Sequence, residues 1–269
     1  MKKTKTIIMV IAIILVIALI GYLIFGYYQK VFKKVQNPIV TMEIENYGTI
    51  KIELYPEKAP NTVTNFIKLA NNGFYNGLTF HRTIPDFMIQ GGDKSGDGTG
   101  APALSDINSE WSAEEKYAIE GEFYANGYTD NNLRFEEGTI AMARSDYSQL
   151  SSTLAKAGYN SAGSQFFITT VDYPSINGLY APFGKVIEGM DVVKAIGNTE
   201  VTYRSSELAE GQEAPKGEDG NALTADMPKN PPVITNVSVE TYGEDYGMPK
   251  TVEPFDYQQW LQSYYGITQ

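Results

Sequence analysis

The stretch TFHRTIPDFMIQGGD, Thr79 to Asp93, sets the chain's single histidine beside an arginine and a group of large apolar side chains. His81 and Arg82 are adjacent, Phe87 and Met88 follow, and Gln90 adds an amide. Several chemistries can be set aside on residue types alone. A zinc site needs several imidazole or thiolate ligands, and the chain has one histidine and no cysteine. The same lack excludes a thiol nucleophile and any disulfide, and leaves the redox compartment open. A serine hydrolase needs a base and a G-x-S-x-G turn; His81 is the only imidazole and no such turn occurs. What remains is a cation next to an oily surface. Read as a strand, TFHRTI puts Phe80, Arg82 and Ile84 on one face and His81 and Thr83 on the other. A charge among apolar neighbours is unfavourable unless it is paired or used. Gln90 can hold the guanidinium in place. The residues alone leave two readings open: a structural ion pair for Arg82 with Phe87 and Met88 as core, or a working cation at the edge of an apolar pocket.

Two neighbouring patterns fail on their spacing. DKSGDGTG, Asp93 to Gly100, starts like a calcium loop, with Asp93, Ser95, Asp97 and Gly98 in step. Its twelfth position is Leu104, where a bidentate glutamate is required. The same glycines are followed by APAL rather than by a helix N-terminus, so a phosphate cradle lacks its dipole.

The elements that must position these residues follow from periodicity. IVTMEIENYGTIKIELYP alternates apolar and polar residues around a turn with Gly48, a β-hairpin. APNTVTNFIKLANNG is a helix capped by Asn61 or Thr62, with Val63, Phe66, Ile67 and Ala70 on one face and Gly73 at its end. Short strands are expected in LTFHRTI, FMIQGG, GTIAMAR, SQFFITT, APFGKVI and PPVITNVSVETY, and a second helix in GMDVVKAIG. The fold class is therefore mainly β: a closed antiparallel barrel with helices over its ends. With 269 residues, 42% hydrophobic and 20% charged, the chain can bury a sizeable core. A net charge of -11 argues against nucleic acid as a partner.

Five regions are expected. Residues 1–6 form a basic head with Lys2, Lys3 and Lys5. Residues 7–28 are nearly unbroken in apolar residues, enough to cross a bilayer, and the bulky end of the run resembles an uncleaved anchor more than a signal peptide. Residues 29–38 are a linker, 39–242 the domain, and 243–269 a tail. A single N-terminal span with a short basic head leads us to expect a cell-membrane protein with its domain outside the cytoplasm, although Lys30, Lys33 and Lys34 flank the far side. Ser205 to Pro232 is polar and rich in Gly, Pro and acids, an exposed loop. In the tail, Tyr257, Trp260, Leu261 and Tyr264 fall at helical spacing; docking on the chain's own domain is expected over a partner site.

FHRTIPDFMIQGGD closely resembles the central signature of the cyclophilin family of peptidyl-prolyl cis-trans isomerases. Three further stretches resemble later motifs of that family, in order: GTIAMARS (Gly138 to Ser145), NSAGSQFFIT (Asn160 to Thr169) and FGKVIEGMDVV (Phe183 to Val193). The resemblance spans Ile39 to about Tyr242. It implies an eight-stranded barrel capped by two helices, with a substrate groove on its outer face. It implies isomerisation of X-Pro bonds during protein folding, without metal or cofactor, by a monomer whose partners are proline-containing polypeptides. By the same resemblance Arg82 is the catalytic cation and Gln90 orients it. Phe87, Met88 and Phe167 grip the proline ring, with Ile176 as apolar wall and Tyr180 offering a hydroxyl. Gln165, Ala143 and Arg144 hold the peptide, and His81 is structural. The rival is a non-catalytic proline-peptide module or holdase. It has no need of the cation.

The chain departs from the family in three places. Ser175 falls at the usual tryptophan position, so tight cyclosporin binding is not implied, and Tyr180 falls at the usual histidine position. An insertion, Asp146 to Tyr159, separates two motifs that border the groove. Leu150 and Leu154 would share one side of a short helix there, and the insertion is expected to shape substrate choice.

Overall fold

The computed structural model describes residues 2–32, 36–108, 110, 111, 114–148, 150–203 and 225–265. The chain divides into two compact units, Met1–Gln36 and Asn37–Gln269. The first holds α1 (Lys2–Phe32), whose stretch Met9–Tyr27 has a mean hydropathy of 2.9. By length and composition α1 can cross a membrane; a signal sequence meets the same test.

The second unit begins with the expected hairpin, β1 (Ile39–Ile44) and β2 (Gly48–Leu54). Its turn uses the left-handed region at Asn46, a residue type that tolerates it, and Gly48 follows at φ 122°. Then comes α2 (Pro60–Asn71), which buries Val63, Phe66, Ile67 and Ala70 as expected. Its start differs from expectation. Neither Asn61 nor Thr62 caps the helix; Ala59 is the cap residue and Pro60 opens the first turn. The cap is supplied from a distance by the buried Glu122. Its carboxylate accepts from Asn61 N (3.0 Å), Thr62 N (2.8 Å) and Thr62 Oγ1 (2.7 Å). The negative charge also meets the positive end of the helix dipole.

The remaining strands are β3 (Arg82–Ile84), β4 (Met88–Gly91), β5 (Thr139–Met142), β6 (Phe166–Thr169), β7 (Ala181–Glu188), the short pair β8 (Val201–Thr202) and β9 (Met227–Pro228), and β10 (Ile234–Glu240). Helices α3 (Leu104–Ile107), α4 (Ser152–Ala157), α5 (Met190–Gly197) and α6 (Tyr257–Tyr264) complete the chain. Eight strands form one antiparallel sheet in the order β10-β1-β2-β7-β5-β6-β4-β3. The sheet curls but is not the closed barrel expected, because the ladder is open between β3 and β10. The approaches to those strands meet at the bridge Thr79–Val233 and at a bond from Gly77 N to Ile234 O (2.7 Å). There Phe80 N donates to Pro232 O (2.9 Å), and the consecutive Pro231 and Pro232 have no N–H to extend the ladder.

The inner face of the curl holds the main core. Phe66 of α2 sits at its centre, 4.9 Å from the Tyr75 ring, 5.8 Å from Phe166 and 5.4 Å from Phe183. The segment after Tyr242 lies along this domain. Thr64 Oγ1 donates to Tyr246 O, Asn61 exchanges two hydrogen bonds with the Lys250 backbone, and Val252 bridges Ala118. In the insertion α4 forms, but Leu150 and Leu154 do not share a side: Leu154 is buried inside the helix and Leu150 is exposed before it begins.

Candidate active site

Strand alternation places a second, smaller apolar cluster on the outer face of the sheet. Ile89, Ile140, Met142, Phe166 and Ile168 point inward to the core. Met88, Ala141 and Phe167 point the other way, with Phe135 beneath and Ile84, Phe87, Ala143, Ile176 and Tyr180 around them. Phe135 stacks on Phe167 at 5.8 Å, nearly parallel, and Tyr180 meets Phe167 edge-on at 5.5 Å.

Register brings the polar residues to the cluster. Arg82 lies opposite Gln90, Gln90 opposite Phe167, and Phe167 opposite Ala141, one row across four strands. His81 and Thr83, on the other side of the chain, are buried. Arg82 is therefore on the groove side, its side chain 34% exposed. Arg82 Nη1 donates to Gln90 Oε1 (3.3 Å), Gln90 Nε2 to Gln165 Oε1 (2.9 Å), and Gln165 Nε2 to Gly98 O and Gly100 O (3.0 Å each). This chain of amides ties the guanidinium to the loop Asp93–Gly100.

That loop is the pattern that fitted neither calcium nor phosphate. Its glycines serve close packing: a Cβ on Gly100 would lie 1.9 Å from Asp93 Oδ1. The buried Asp93 carboxylate accepts from the backbone of Ser95 and Gly98 and so holds the loop against the groove.

The arginine has a partner that local reading missed. Arg82 Nε donates to Asp226 Oδ2 at 2.6 Å, with the Asp226 side chain 16% exposed. Thr83 N also donates to Asp226 O (2.7 Å), which fixes the aspartate beside β3. Asp226 falls in the run read as an exposed loop. Residues 205–224 of that run lie outside the described residues, and Asp226 reaches the site. No local signal distinguishes Asp226 from the other acids around it.

A cavity of about 330 Å³ opens here. Arg82, Phe87, Met88, Gln90, Ala143, Arg144, Phe167 and Tyr180 line it, joined by Asp97, Gly98 and Thr99. Ile176 packs in the cluster without lining the cavity, and Gln165 lines an adjoining one of about 450 Å³. Ser175 is exposed on a turn at Pro174–Ile176 and lines neither. Arg144 is heavily engaged by protein groups. Its guanidinium lies over the rings of Tyr180 (4.6 Å), Tyr159 (5.1 Å) and Phe123 (5.6 Å), and it donates to Leu179 O and Ser145 O. Burial pushes the Tyr180 phenol upward, partly offset by the Arg144 charge.

Such a site can hold a ring of proline size on Phe167 and Met88 and present a fixed guanidinium at its rim. Among the described residues it offers no histidine, cysteine or base-activated serine. Conformational catalysis suits these groups better than bond cleavage.

Comparison with known proteins agrees with that chemistry. Residues 39–217 match the family described as cyclophilin type peptidyl-prolyl cis-trans isomerase/CLD. Peptidyl-prolyl cis-trans isomerase B of Bacillus subtilis strain 168 is 41% identical over 158 residues, covering 59% of this chain and 90% of that protein. Peptidyl-prolyl cis-trans isomerase-like 2 of Rhizopus delemar, a longer protein, is 36% identical over 170 residues; the match covers 63% of this chain and 26% of it. A Cryptosporidium parvum cyclophilin type isomerase, solved in the presence of dipeptide Ala-Pro, superposes with a TM-score of 0.51 at 26% identity, over 75% of this chain and 98% of that one. With the match running through both the groove strands and the core beneath them, the chain belongs to the cyclophilin type peptidyl-prolyl cis-trans isomerases.

Proposed function

We propose that Arg82 carries the isomerase reaction in this groove, on proline-containing polypeptides folding outside the cytoplasmic membrane, where α1 holds the domain. The supporting observation is the placement of Arg82 at the edge of the Phe87–Met88–Phe167 cavity, held by Asp226 and Gln90.

Rotation about a peptide bond faces a barrier of ~18–20 kcal/mol, and X-Pro bonds isomerise in tens to hundreds of seconds unaided. In the twisted state amide resonance is lost and the proline nitrogen gains a lone pair. A guanidinium aimed at that nitrogen binds the twisted state better than either planar one. A thousandfold acceleration asks for about 4 kcal/mol, within reach of one charge in a drained groove. The two bonds that hold Arg82 use Nε and Nη1, which leaves Nη2 outside both.

Asp226 also favours the rival reading of a binding module. A carboxylate at 2.6 Å offsets part of the guanidinium field. The test is a protease-coupled assay of the full chain in detergent on an Ala-Pro peptide. Acceleration of the cis-to-trans phase is expected; binding of the peptide without acceleration would favour the module.

A further inference from the structure

We infer that the C-terminal segment is a substrate-selecting wall of the groove, with Phe255 as the side chain that meets the peptide beside its proline. The inference deepens the isomerase reading and rests on it.

The adjoining cavity of about 450 Å³ shares Gln90, Gly98, Thr99, Ala143 and Arg144 with the proline cavity. A peptide seated in the first therefore extends into the second. One side of this second cavity is made by Pro254 and Phe255, which lie beyond the part of the chain shared with the family. The tail is held in register on its way there. Tyr246 and Lys250 are hydrogen-bonded to residues of α2, and Val252 exchanges backbone hydrogen bonds of 2.8 and 2.9 Å with Ala118. Two residues after that bridge the chain reaches the cavity.

The insertion supplies the rest of the fixing. None of the described residues of 146–159 lines either cavity. Tyr147 instead packs edge-on against Phe255 and stacks on Tyr257, both at 5.6 Å. Asp256 caps α6 by accepting from Gln259 N (2.9 Å). The insertion thus acts on substrate through the tail: it clamps the aromatic residue that the tail delivers. Phe255 is half-buried and keeps a face to the cavity.

The lining defines the chemistry of the side chain it takes. The wall is apolar, the floor is made of small residues such as Gly163 and Ser164, and none of the described lining residues is acidic. Arg144 is the one cation among the described lining residues. An aromatic or aliphatic side chain flanking the proline gains contact with Phe255. A lysine or arginine meets the Arg144 charge with no carboxylate in the lining to compensate.

The test uses proline peptides carrying Phe, Leu, Gly or Lys in turn at the positions on either side of the proline. The full chain in detergent is assayed for kcat/KM and, by fluorescence polarisation, for Kd. At one of these positions Phe or Leu should be favoured over Gly, and Lys disfavoured. Phe255→Ala should reduce the Phe-over-Gly ratio about fivefold, and Phe255→Leu should fall between. Tyr147→Ala should lower the same ratio, and the double variant should lose no more than the larger single loss, as residues acting through one contact do. Thermal melts separate this from unfolding. An unchanged ratio in folded Phe255→Ala, with all peptides still turned over, would overturn the inference. Wild type that accelerates no peptide would sink the isomerase reading instead, and the Kd ratios would then still decide the role of the wall.

Discussion

At the scale of single residues, the site depends on how one guanidinium is held. Arg82 faces an amide on its own sheet and a carboxylate 144 positions away. Arg82→Ala should lower kcat/KM by roughly 100-fold or more, the usual loss for one transition-state donor. Arg82→Lys should fail nearly as badly, because an ammonium on a flexible stem cannot serve Asp226 and Gln90 together while pointing at the proline nitrogen. Near-normal kcat/KM in either folded variant would remove Arg82 from the role. Asp226 lies outside the cavity lining, so it positions rather than binds. Asp226→Ala should reduce kcat about tenfold with little change in KM, and Asp226→Asn, which keeps an acceptor, should recover much of it. A rise in kcat on removing the carboxylate would show that it restrains Arg82 instead. The pH profile belongs here too. His81 does not line the cavity, and burial raises the Tyr180 phenol above its ordinary value, so Tyr180 stays protonated at neutral and mildly alkaline pH. Between about pH 6 and 9 kcat/KM should be level; a step near pH 7 would point to a titrating group that this site does not present. The nearness of Arg82, Phe87, Met88 and Gln90 was legible in the sequence because they are close along the chain; that Phe167 joins them, and the role of each, came only from the family resemblance. Asp226 was not legible, because nothing local marks which distant acid a guanidinium will meet.

At the scale of elements, the eight strands of the main sheet and both main helices were readable from periodicity, their ends less so, while β8 and β9 were not, β9 lying in the run read as an exposed loop. Helix α2 shows why. Its sequence offers Asn61 and Thr62 as caps, yet tertiary structure brings Glu122 to three donors in its first turn. Glu122→Ala leaves those donors unpaired in a buried place and should destabilise the domain by about 2–3 kcal/mol. For a unit of this size that is a fall of roughly 5–10 °C in Tm. Glu122→Gln, which keeps one acceptor, should lose less. Equal melting of Glu122→Ala and wild type would mean that Pro60 and packing alone start the helix. The open edge of the sheet was equally hidden. Pro231 and Pro232 were visible as residues, but which strand would face their missing N–H groups depends on how far the sheet curls.

At the scale of the molecule, the proposal that α1 anchors the domain raises the question of which side of the membrane the groove would face. The apolar stretch Met9–Tyr27 within α1 is long enough to span. Three lysines precede it and three follow within the next few residues, so the loop-charge rule alone nearly balances. Length breaks the balance. The more than 230 residues that follow the apolar run include the whole domain, and long domains cross largely regardless of their charge. In cells expressing the full chain, the protein should stay with the membrane through alkaline carbonate washing, and protease added outside should digest the domain. Mass spectrometry of the intact chain should find residues 7–28 still attached. Digestion only after lysis would place the groove in the cytoplasm. Release by carbonate, with the apolar stretch missing from the mature mass, would make α1 a cleaved signal; the domain would then act as a soluble isomerase beyond the membrane, its groove chemistry intact.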